Sequence, residues 1–169
     1  MKYYLVLFLI VGTVFKVQAQ DAQITTAAVS FTFVKKDVTG SISGFKSTSK
    51  IDWNDLENSV IEGQVETETL KTGNFIRDWS LKGSKYFDAE AFPLITFKSN
   101  RLVLEDSDLM VYGTLTLKGI SKPIEIRFTR TENSLKGSTT LFTPDFDITI
   151  LKNNRENNKV IVILNLIVE

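Results

Sequence analysis

Apolar and polar residues take turns along most of this chain. Val29, Phe31 and Phe33 alternate with Ser30 and Thr32, the period of two expected of a half-buried strand. Val38 to Phe45 predicts a second strand, with Gly40 and Gly44 inside it, where glycine marks a bend or bulge. From Val60 to Leu70, Ile61, Gly63, Val65, Thr67 and Thr69 form one face and Glu62, Gln64, Glu66 and Glu68 the other. A slip of one residue there would bury carboxylates, so the register is well specified. Further on, Ile95 and Phe97, then Val111, Gly113, Leu115 and Leu117, then Ile124, Ile126 and Phe128 predict inward faces of three more strands. Turns at Asp106–Asp108, Gly119–Pro123 and Asn133–Ser134 separate them, and strands over Leu135–Phe142 and Val160–Val168 complete the set.

One stretch breaks the alternation. Leu70 to Ser99 predicts a short helix before the strand resumes after Pro93. Thr72 or Asn74 can cap its start, Asp78 suits its positive end, and Gly83 suits a left-handed residue at its close. Phe75 and Trp79 are four apart and share a face, so the segment reads as a greasy plug.

The count is about eight strands joined by short connections, which implies antiparallel pairing. Eight such strands can close into a barrel, leaving no edge to aggregate. A barrel of that size holds either packed side chains or one small ligand.

Composition narrows the class. The chain has 169 residues, 43% of them hydrophobic, and 20 basic residues against 20 acidic. That is one ordinary globular domain, with no electrostatic reason to bind nucleic acid. Met1–Lys2 followed by the apolar run Leu5–Phe15 and Val17–Gln18–Ala19 has the pattern of a secretory leader. It predicts a signal peptide over residues 1–19, a single domain over 20–169, and a periplasmic or secreted location after the leader is removed. There is no cysteine, so neither a disulfide nor a lipid-bearing cysteine is available.

No catalytic inventory is present. Without histidine or cysteine, a Ser-His-Asp triad, thiolate chemistry and most transition-metal sites are excluded, and no cofactor or metal is expected. Ser43–Lys46 has the S-x-x-K spacing but lies in a predicted strand without companion motifs. Glu62, Glu66 and Glu68 could be imagined as paired carboxylates, yet their alternation reads as a solvated strand face. The informative feature is the 12 phenylalanines. Any one of them reads most simply as core. The sharper reading is that the apolar residues together line a tunnel for a long apolar ligand, and both readings stay open on the residues alone. The strands supply Phe31, Phe33, Ile61, Val65, Phe97, Leu115 and Phe128. The plug supplies Phe75, Trp79, Phe87 and Phe92, and Phe146 follows the Thr143–Asp145 interruption. Gly63, Gly113 and Gly137 on inward faces would leave volume there.

Two motifs carry a family likeness. The first comprises Thr72–Gly73–Asn74, Arg77–Asp78, Leu81, Tyr86–Phe87–Asp88, Phe92–Pro93 and Ile95–Ser99; the second is Gly113–Pro123. In this order the chain resembles the YceI-like family of small bacterial lipocalin-like proteins that bind polyisoprenoid lipids, from about Val29 to Glu169. The resemblance implies an eight-stranded antiparallel lipocalin-like barrel with a short helix near its mouth. It also implies that the barrel takes up a long-chain, isoprenoid-like apolar lipid by partition, without catalysis. The Arg77–Asp78 pair then meets a head group or, more economically, fastens a loop to backbone. Ser80, where the family usually has histidine, and Thr143–Asp147, in place of a Ser-rich Phe-Gly motif, both fall at the expected mouth. Transient contact with a membrane and pairing into a homodimer are compatible with such a carrier. The alternatives are a packed, ligand-free barrel serving as a stress or interaction protein, and an enzyme acting on lipid or sugar.

Overall fold

In a computed structural model that describes residues 21–152 and 154–169, nine antiparallel strands form one curled sheet. The expected leader, residues 1–19, lies outside the described residues. The strands are β1 (Ile24–Phe33), β2 (Val38–Ile42), β3 (Lys46–Ser47), β4 (Glu62–Glu66), β5 (Leu94–Glu105), β6 (Asp108–Leu117), β7 (Ile120–Arg130), β8 (Ser134–Phe142) and β9 (Lys159–Val168). Their order across the sheet is β2-β1-β9-β8-β7-β6-β5-β4-β3. The strand expected over Val38–Phe45 ends at Ile42, and β3, which no predicted strand covers, makes nine of the predicted eight. Gly44, at φ 74°, takes a left-handed turn that a β-carbon would strain, and the chain corners there from β2 into β3.

That corner lets the two edges of the sheet meet. Ser41 and Lys71 exchange two backbone bonds of 2.8 and 3.0 Å, the Glu66 N–H donates to the Ser43 carbonyl at 3.0 Å, and Ala22 and Ile51 exchange bonds of 2.8 and 2.9 Å. The seam is therefore stitched at both ends and the middle, which ties the two edges to each other. A second discontinuity lies on the far side. β7 pairs with β8 only from Arg127–Ser138 to Arg130–Leu135. Pro123 sits in the unpaired part of β7 and has no N–H to offer a ladder. One side-chain bond crosses the gap, from Thr139 Oγ1 to the Glu125 carbonyl at 2.7 Å.

Burial follows the alternation. Leu109, Val111, Gly113, Leu115 and Leu117 of β6 are all buried, as are Ile126 and Phe128 of β7. Two of the outward glutamates of β4 and the turn after it are in surface ion pairs, Glu62 with Lys98 and Glu68 with Lys82, both at 3.1 Å. The core divides in two. Ile51, Leu102, Leu109, Val111, Phe128, Leu135 and Leu166 pack together at one end. Val65, Ile95, Leu115, Leu117, Phe146 and Ile148 ring the other.

Candidate functional site

The single α-helix among the described residues, α1 (Phe75–Lys82), lies at this second end. Asn74 caps it, its Oδ1 accepting from the Arg77 N–H at 2.9 Å. Gly83 closes it in an extended conformation, φ −69° and ψ 166°, not the left-handed one expected. After the helix the left-handed residue is Asp88, φ 49°.

Thr72 anchors the helix. The Thr72 hydroxyl donates to Asp78 Oδ1 and accepts from Arg77 Nε at 2.6 Å. The Thr72 N–H donates to Asp78 Oδ1 at 2.8 Å, and Arg77 Nη2 donates to the Thr72 carbonyl at 2.9 Å. The hydroxyl bond above all, with Arg77 and Lys82 nearby, holds the Asp78 carboxyl below the usual carboxylate range. The Arg77–Asp78 pair thus fastens the helix to the preceding loop.

This tether fixes which face of α1 looks inward. Arg77, Ser80 and Leu81 border the interior, and Ile76 stands at its rim. Phe75 and Trp79 do share a face, but it is the outer one: they are 84% and 74% exposed. They do not line the interior, which corrects the greasy plug expected of this segment. Tyr86 and Phe87 take that place. Phe92 is also displaced, its ring lying over Gly119 instead.

Beneath α1 the barrel is hollow. A cavity of about 740 Å³ is lined by Phe31, Phe33, Val65, Phe87, Leu115 and Phe146 of the residues expected to line it, by Ile95 and Leu117 of the predicted inward faces, and by Val29, Leu70, Leu141, Ile148, Val160 and others. Its volume is within the roughly 300–1,000 Å³ of ordinary ligand sites. Polar groups are confined mainly to the rim: Lys36, Thr72, Asn74, Arg77, Ser80 and Tyr86. Deeper, Val29, Val65, Ile95, Leu115 and Leu141 separate it from a cavity of about 120 Å³ that touches Ile61, Phe97 and Phe128. The smallness of this second void has a specific cause. The inward glycines do not leave the volume expected of them, because a phenylalanine ring lies over each: Phe45 over Gly63, Phe97 over Gly113 and Phe128 over Gly137.

Thr143 stands out in the large cavity. Its Oγ1 is the one buried side-chain polar atom among the described residues without a hydrogen-bond partner. No signal in the sequence marked it, since the Thr143–Phe146 turn read only as an interruption. On the outside of the same wall, a groove of about 610 Å³ follows the β7–β8 gap, and Leu141 and Phe146 border both it and the cavity. Arg155 spans this region, donating to both oxygens of Asp145 at 2.8 and 2.6 Å and covering the Phe142 ring at 3.6 Å. Its guanidinium holds the Asp145 carboxyl below the usual range. Ser43, of the S-x-x-K pattern, offers its backbone to the seam, where its N–H donates to Thr69 Oγ1 at 2.7 Å.

Comparison with known proteins places this geometry. A UPF0312 protein of Vibrio parahaemolyticus is 28% identical over 134 residues, which cover 73% of this chain and 69% of that protein. The chain spans about half the length, 50% and 46%, of further curated relatives that it matches. Among solved structures, BcnA of Burkholderia cenocepacia superposes with a TM-score of 0.76 at 18% identity, over 83% of this chain and 95% of that one. A polyisoprenoid binding domain from Saccharophagus degradans, implicated in plant cell wall breakdown, superposes with a TM-score of 0.59 at 13% identity, over 89% and 98%. At these identities the structures establish the shared fold. The family model for the YceI-like domain matches residues 15–167, and the chain therefore belongs to the YceI-like family.

Proposed function

We propose that this chain binds a long apolar lipid, isoprenoid-like in character, in the cavity beneath α1, and that it sequesters or carries that lipid outside the cytoplasm once its leader is removed. The observation that carries the reading is the cavity of about 740 Å³ with an aliphatic and aromatic wall. Each methylene moved from water into such a lining gains about 0.8 kcal/mol, so a tail of a dozen carbons binds by partition alone. The rim of Lys36, Asn74, Arg77 and Tyr86 suits a polar head at the mouth. The polyisoprenoid binding of the Saccharophagus degradans domain supports the same ligand class. The lack of histidine and cysteine favours binding over catalysis.

The packed, ligand-free barrel keeps one observation in its favour, the phenylalanines that fill the closed end. Native mass spectrometry of chain purified from its own host, followed by organic extraction, separates the two. One lipid per chain is the expected result. A bare mass, with no uptake of added isoprenoid, gives the answer to the packed barrel, and turnover of a supplied lipid gives it to an enzyme.

A further inference from the structure

The outer face of α1 is unusually bare. Phe75 and Trp79 are 84% and 74% exposed there, and Ile76, between that face and the rim of the cavity, is 75% exposed. The opposite face of the same two turns borders the large cavity through Arg77, Ser80 and Leu81. A large aromatic side chain left in water is ordinary when it stands alone, but three apolar side chains on one short helix form a patch.

We propose that this face of α1 docks on an anionic lipid bilayer and seats the mouth of the cavity on the membrane surface. The purpose of docking rests on the lipid-carrying reading above; the docking itself does not. Three features favour a bilayer over other occupants. The first is charge: residues 34–37 and 68–85 carry six basic side chains, Lys35, Lys36, Lys71, Arg77, Lys82 and Lys85, against Asp37, Glu68 and Asp78, of which Glu68 pairs with Lys82 and Asp78 is engaged by Thr72. Among the described residues, Lys35, Lys36, Lys71 and Lys85 are in no ion pair, which leaves them for lipid phosphates. The second is size. Three large side chains offer roughly 500 Å² at most, short of the roughly 800 Å² per partner of a stable protein interface. A second copy laid face to face would also set these lysines against their own counterparts. The third is chemistry: tryptophan and phenylalanine above a basic rim suit the headgroup boundary. An eight-residue helix is far too short to cross a bilayer, so the contact lies in the surface.

The test uses the full chain as it accumulates on expression, with its intact mass recorded, and vesicles of phosphatidylethanolamine with phosphatidylglycerol, or of phosphatidylcholine alone. Trp79 is the reporter, because the other of the two tryptophans, Trp53, is covered by Arg130 at 3.5 Å. The expected result is a blue shift on the anionic vesicles, quenching by brominated lipid, and flotation with the vesicles that weakens in high salt. The double variant Phe75→Ser/Trp79→Ser keeps its fold and its bound lipid but loses at least about tenfold in vesicle affinity. Equal flotation of variant and wild type overturns the proposal, as does the absence of a blue shift. A wild-type dimer that the variant abolishes without vesicles also overturns it and assigns the face to a second copy. Chain that floats but carries no lipid leaves docking intact and removes carriage; chain that carries lipid but does not float does the reverse.

Discussion

The ring of Phe128 on β7 occupies the space that a β-carbon on its cross-strand partner Gly137 would need. Phe97 does the same to Gly113, with ring carbons 2.5 and 2.7 Å from the position of such an atom. Each pair is one packing unit, in which the small residue exists to admit the large one. Gly137→Ala should therefore destabilise by about 1–3 kcal/mol through overpacking, lowering the melting temperature by about 2–10 °C. Phe128→Ala should cost about 3–5 kcal/mol by leaving a cavity. Thermal melts of both singles and the double variant check this. If Gly137→Ala melts with the wild type, the ring yields freely and the closed end is softer than it looks.

The helix tether yields a second prediction. Arg77→Ala removes the bonds to the Thr72 hydroxyl and carbonyl, worth about 1–2 kcal/mol locally. Amide exchange across residues 75–82 should then quicken by about 5–30-fold, while lipid stays bound in the folded protein. Lost binding at unchanged thermal stability would instead give Arg77 a head-group role. The tether should also be sensitive to acid. The Asp78 carboxyl is held below its usual value, chiefly by the Thr72 hydroxyl. A group whose folded value is depressed stabilises above its unfolded value and loses that contribution as pH falls through the folded one. Protection of the α1 amides, taken relative to the unstructured exchange rate at each pH, should thus be high at neutral pH and fall below about pH 4, and Asp78→Asn should remove the acid step.

Much of the barrel is legible in the chain because strand periodicity is local information. The alternation of Ile61 and Val65 with Glu62 and Gln64 states both an element and its inward face, and the structure agrees. Helix spacing carries less. That Phe75 and Trp79 lie four apart says they share a face, but which face points inward is decided by the bonds between Arg77, Asp78 and Thr72. The inward glycines mislead for a related reason. A sequence shows that Gly113 lacks a side chain, but not that Phe97 of the next strand covers it. Thr143 gives no local sign at all, because its significance is a missing partner in three dimensions.

A third prediction concerns the β7–β8 gap. Arg155 grips Asp145 with two bonds and lies over Phe142, so it straps the unpaired end of β8. The pair is largely exposed, so Arg155→Ala should change global stability little. Its local effect should be larger, with faster amide exchange over residues 139–146 and faster release of bound lipid through the thinned wall. The Arg155 guanidinium keeps the Asp145 carboxyl below its usual value, so the strap holds at neutral pH and weakens as pH falls below about 4. Unchanged exchange in Arg155→Ala would mean that Thr139 and the Glu125 carbonyl hold the gap without help.

Thr143→Val offers the sharpest test of the cavity, because its two effects have opposite signs. The Thr143 hydroxyl is buried against the cavity with no partner, and an unmet buried hydroxyl is costly. Replacing it with an isosteric methyl should raise the stability of lipid-free protein by about 1 kcal/mol, or about 2–4 °C in melting temperature. If the hydroxyl serves an oxygen of the ligand, the same variant should bind a long-chain isoprenoid alcohol about two- to tenfold more weakly. A hydrocarbon of the same length should bind both proteins alike. Melting of delipidated protein and competition titration with the two lipids read these separately. A variant that melts lower than the wild type would show that Thr143 already has a partner. One that melts higher but binds alcohol and hydrocarbon as before would place the ligand's oxygen elsewhere, at the rim among Lys36, Asn74 and Arg77.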